Sequence, residues 1–77
     1  MTEKQAERLE ELRGVLSNMI GEVIALETFL RYQKLCEEEF GKQQSEEWLR
    51  RIHDYLNQHL HDTKLLTAWL FESAGAL

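Results

Sequence analysis

No proline occurs among the 77 residues, and of the four glycines only Gly41 lies among polar residues between two periodic segments. A chain with so few helix breakers has one natural place to turn. The stretch Phe40-Gly41-Lys42-Gln43-Gln44-Ser45 stops a helix at a residue suited to the left-handed position after a C-cap. It restarts the chain at Ser45, an N-cap residue whose followers Glu46 and Glu47 complement the helix dipole. The expected turn therefore occupies residues 40–45.

Before it, Leu9, Leu12, Leu16, Met19, Val23, Leu26 and Leu30 recur at alternating spacings of three and four, flanked by Val15 and Ile20. After it, Leu49, Ile52, Leu56, His59, Thr63, Leu66 and Leu70 repeat the spacing, with Trp48, Tyr55 and Leu60 alongside. Such a period keeps each apolar stripe on one side of an α-helix. The pattern predicts an all-α fold, one helical-hairpin domain over residues 1–77. Helix 1 spans about 3–39, helix 2 about 45–73, and a short tail covers 74–77. At 1.5 Å per residue the helices are roughly 55 and 43 Å long. A short connection makes them antiparallel neighbours, and a turn over 40–45 sets Leu56 beside Phe29, Leu66 beside Met19 and Leu70 beside Val15.

A pair of helices cannot surround a core, because each stripe has one neighbour and its edges stay wet. With 43% hydrophobic residues the chain carries more apolar surface than one seam uses. Ile24, Phe29, Tyr32, Leu35 and Cys36 depart from the stripe of helix 1, and Leu65, Trp69 and Phe71 depart from that of helix 2. The expected interaction surface is thus Phe29, Tyr32, Leu35, Leu65, Trp69 and Phe71, serving a homodimer that closes a four-helix bundle and a second protein as target. Gly14, Asn18, Gly21 and Ala25 share a narrow opposite face whose small side chains permit close helix approach.

Fourteen acids against nine Lys and Arg give a formal charge of -5, which disfavours a phosphate-backbone binder, so nucleic acid is not the expected partner. Near the turn, Arg31, Lys34, Lys42, Arg50 and Arg51 are matched by Glu37, Glu38, Glu39, Glu46 and Glu47, which predicts a solvated ion-pair region. A lone Cys36 closes no intramolecular disulfide, and the chain reads as cytoplasmic. The first residues show no apolar segment behind a basic cluster, so no signal peptide is expected. The longest strongly apolar run, Leu65 to Phe71, is roughly a third of a membrane span.

Candidate chemistry is sparse. His59 and His61 point about 200° apart around a helix, and His53 lies about 12 Å from His61, so His53, His59 and His61 share no metal ion. No nucleophile elbow and no phosphate-cradling glycine loop occurs. The expectation is no enzyme, no catalytic residue, no cofactor and no metal. His59 differs from the other histidines because it falls at a seam position, where a polar group commonly specifies register or partner.

The leading functional expectation is a small non-enzymatic protein-interaction module, an adaptor, regulator, chaperone or inhibitor acting through a helix face. In layout and length the hairpin resembles the Rop family of dimeric helical hairpins, which implies RNA binding despite an acidic composition as the alternative. Arg13, Arg31 and Lys42 loosely resemble the cations that small all-helical chorismate mutases place along a long first helix. That likeness implies, as a second alternative, an enzyme with its site at a subunit interface. No third helix is expected from the spacing, and no glutamate or glutamine after Lys42 falls at a spacing that fits the family's remaining positions.

Overall fold

The computed structural model describes residues 1–76 as an all-helical chain of three helices, α1 (Glu3–Arg31), α2 (Gln33–Phe40) and α3 (Lys42–Ser73). Helix α1 opens with a capping box. Thr2 Oγ1 accepts from the Gln5 backbone amide at 3.1 Å, and the Thr2 amide donates to Gln5 Oε1 at 2.8 Å, satisfying two of the donors that a helix start leaves orphaned. The Thr2-x-x-Gln5 spacing is a legible sequence signal for this box.

The single helix expected over residues 3–39 is divided at Tyr32, where φ −112° and ψ 22° leave the helical basin. The break is a kink rather than a loop, because Tyr32 N–H still donates to Thr28 O at 3.0 Å and Cys36 N–H to Tyr32 O at 2.9 Å. Its result is a short α2 that brings Phe40 edge-on to Trp48, with ring centroids 5.1 Å apart.

The turn is tighter than the sequence suggests. Gly41 alone separates α2 from α3, at φ 89° and ψ 151°, a conformation that Cβ-bearing residues rarely adopt. Helix α3 starts at Lys42, so Ser45 is not the N-cap. Its amide already donates to Gly41 O at 3.1 Å, and its side chain is completely buried with the hydroxyl unpartnered. Glycine reverses the chain in one residue, after which Lys42, Gln43 and Gln44 are ordinary helix formers that need no serine to start them. At the other end, Gly75 takes φ 78°, its amide donates to Glu72 O at 3.0 Å, and Ala76 N–H reaches back to Phe71 O at 2.9 Å. Those two bonds are a Schellman ending. The last residue of the expected tail, Leu77, lies outside the described residues.

Contacts between α1 and α3 climb one helix as they descend the other. Gln5 Nε2 donates to Ser73 Oγ at 3.0 Å, the Arg8 guanidinium lies 5.9 Å from the Trp69 ring centroid, and Thr63 Oγ1 sits 3.8 Å from Met19 Sδ. His59 meets Glu22, and Phe29 meets Trp48 with centroids 5.6 Å apart. The register therefore differs from the expected one. Met19 lies against Thr63 rather than Leu66, and Phe29 against Trp48 rather than Leu56. The cause is the one-residue turn, which makes facing residues roughly equidistant from Gly41.

The seam on α1 is also rotated. Half-buried residues there include Arg8, Leu12, Val15, Met19, Glu22, Leu26 and Phe29, whereas Leu16, Val23 and Leu30 of the expected stripe stay exposed. Two overlapping series share Leu12, Met19 and Leu26, and a single neighbouring helix covers only one of them. On α3 the half-buried residues include Leu49, Ile52, Leu56, His59, Thr63, Leu66 and Leu70, the whole series expected from spacing. Among the described residues no apolar side chain is buried, so the molecule, with extents of 53 × 15 × 15 Å, has a seam rather than a core.

Candidate functional site

Because α1 and α3 form a two-layer ribbon, every contact they leave unused lies on one of two broad faces. The first is apolar. Val23, Leu26 and Leu30 line a depression with Glu27 and Arg31, and Leu26 continues it into a groove with Leu49, Ile52, Leu56 and Leu60. Helical phase adds Leu16 and Ile20, three to seven residues from Val23 on the same side. The exposure of Leu16 (43%), Ile20 (63%), Val23 (53%), Leu30 (58%) and Leu60 (50%) is high for aliphatic side chains sharing one face.

The second face is small-residued and acidic. Gly14, Asn18, Gly21 and Ala25 line shallow grooves whose α3 walls are Tyr55, His59, Asp62, Leu65 and Leu66, with Glu11 and Glu22 alongside. A Cβ placed on Gly14 or Gly21 would meet nothing within 4 Å, so this narrow face is open and α3 makes no close approach there. The groove continues past Phe29 and Trp48, where Arg51 joins it.

His59 lies at the edge of the seam facing this groove. Its Nδ1 comes within 2.7 Å of Glu22 Oε1, and both side chains are about four-fifths buried, at 20% and 17% exposure. The ring is not aligned for a hydrogen bond, and neither Nδ1 nor Glu22 Oε2 has another partner. Spacing alone carries no signal for Glu22, because a glutamate inside a rotated stripe looks like a surface residue.

The six expected surface residues divide. Tyr32, Leu35, Leu65 and Phe71 are exposed, whereas Phe29 packs on Trp48 and Trp69 lies under Arg8, both half-buried within the chain. They form no single patch, since Tyr32 and Leu35 flank the kink while Phe71 and Trp69 sit near the far end of α3. Leu16, Val23 and Leu30 of this apolar face belong to the stripe that spacing predicts for the intrachain seam, and the structure leaves them exposed.

The charged groups near the turn do not form the expected ion-pair region. Among the described residues, none of Glu37, Glu38, Glu39, Glu46 and Glu47 pairs with a cation, and Arg31 bridges Glu27 at 2.7 Å instead. Consecutive acids radiate around a helix, so most of them point away from the cations of the neighbouring element. Arg13 likewise pairs along its own helix with Glu10 at 2.9 Å.

His53 contacts Asp54 at 3.2 Å and Asn57 at 3.0 Å, far from the Glu22–His59 contact. Among the described residues no group of three or more His, Cys, Asp or Glu could hold a metal ion, and no helix is long and apolar enough to cross a membrane. No family model, no curated protein and no solved structure matches the chain.

Proposed function

We propose that this chain is a non-enzymatic protein-interaction module, an antiparallel helical hairpin that pairs with a second copy to complete a four-helix bundle and binds another protein through a remaining helix face. What carries the reading is the missing core. The surface of 5993 Å² exceeds the roughly 4,900 Å² expected of a folded monomer of this mass, 9.1 kDa. Solitary exposed leucines are ordinary, but a contiguous aliphatic face on a chain with no buried apolar side chain among the described residues marks surface that another polypeptide covers. Helix faces of this kind recognise helices, through anchors spaced by three and four residues.

Sedimentation equilibrium with parallel circular dichroism over a dilution series tests the self-association. The expected mass is twice the 9.1 kDa of one chain, with helicity falling as dilution separates the copies. Full helicity in a single chain, with a denaturation midpoint independent of concentration, would overturn it. Affinity capture with the native protein tests the second half of the proposal, and recovery of nucleic acid alone would count against it.

A further inference from the structure

If the chain is an interaction module as proposed above, its two faces take different partners. We infer that the second copy docks on the aliphatic face of Leu16, Ile20, Val23, Leu30 and Leu60, two hairpins lying face to face across a two-fold axis, while the acidic groove of Glu11, Glu22 and Asp62 stays open to solvent.

Area, charge and symmetry argue for this occupant. A face of the ribbon, 53 by 15 Å, measures about 800 Å², which is the share each partner contributes to a standard stable interface. A short foreign peptide would leave much of that length uncovered. Charge separates the two faces. On the aliphatic side Glu27 and Arg31 are the only acid and the only Lys or Arg among the residues lining the two grooves, and they pair with each other at 2.7 Å. On the other side Glu11, Glu22 and Asp62 line the grooves with Arg51 as the one Lys or Arg among the lining residues. Two copies joined there would have to desolvate the Arg8–Glu11 ion pair, the Glu22–His59 contact and Asp62 on each chain, a cost that the aliphatic face does not carry. Symmetry completes the argument, because a two-fold pairing uses the same patch on both chains and closes, whereas head-to-tail contacts between different patches continue into filaments.

The test compares Ile20→Lys with Asn18→Lys, exposed positions on opposite faces. At a concentration where the parent chain sediments as two copies, Ile20→Lys is expected to sediment as one and Asn18→Lys as two. Because the lysine at position 20 could also cost helicity, a second measurement uses the parent fold. In a Cys36→Ser background, a thiol introduced by Ile20→Cys should react with a maleimide roughly ten-fold more slowly than one introduced by Asn18→Cys, since burial in apolar surroundings suppresses the thiolate. If the parent is two copies but Ile20→Lys remains so, or the two thiols react equally fast, the face is wrong and the interaction reading survives. A parent that is a fully helical single chain at every concentration overturns both.

Discussion

The Glu22–His59 contact offers a perturbation whose sign runs against the usual expectation that removing a close polar pair weakens a protein. Both side chains are about four-fifths buried, and one atom of each has no partner. His59→Leu would leave the Glu22 carboxylate among seam residues without the imidazole that now lies 2.7 Å from it. An orphaned buried polar group costs about 1–3 kcal/mol, more when charged, and the partly buried leucine returns about 1 kcal/mol of transfer free energy. A net loss of about 1–2 kcal/mol is expected. Glu22→Leu orphans only an imidazole nitrogen and gains a similar leucine, so the two effects nearly cancel. The double variant leaves no orphan and gains both leucines. Replacing a largely buried polar pair whose hydrogen bonds are unmet by apolar residues of similar size is often neutral or stabilising, and His→Leu also raises helix propensity by a few tenths of a kcal/mol. Urea denaturation of the four proteins at one fixed chain concentration measures the cycle, with the double variant expected about 2 kcal/mol above the parent. A double variant less stable than the parent would show that the pair is a net stabiliser, and the account of its unmet hydrogen-bonding capacity would be wrong.

Other consequences follow from single residues. Gly41→Ala should cost about 1–2 kcal/mol, since φ 89° is strained for any residue with a Cβ even though open space surrounds it; an unchanged denaturation midpoint would mean that the turn relocates. Trp69→Ala should lower stability by about 2 kcal/mol, below the 3–5 kcal/mol of a fully buried aromatic because Trp69 is half-buried under Arg8. The sedimenting mass should not change, and loss of the second copy at constant stability would return Trp69 to the association surface.

Secondary structure was legible in the residues themselves. The absence of proline, Gly41 among polar neighbours, and two three-four series each act within a few residues along the chain, which is why helix type and the α3 stripe from Leu49 to Leu70 agree with the structure. The capping box at Thr2 and the glycine ending at Gly75 belong to this local class as well. What tertiary structure decided is everything that depends on how far a neighbour reaches. Whether Ser45 starts a helix or is swallowed inside one depends on whether Gly41 turns the chain by itself, and that choice moves the register by about a turn, setting Met19 against Thr63 and Glu22 against His59. Likewise, periodicity says that α1 is apolar over a wide arc but not which edge of the arc α3 covers. Leu12, Met19 and Leu26 belong to both candidate seams, so the decision between Val15, Glu22, Phe29 and Leu16, Val23, Leu30 rests on contacts made by α3. A pattern along one chain records the width of a helix's apolar surface, and only a packed neighbour determines which part of that width is a seam and which part is left for a partner.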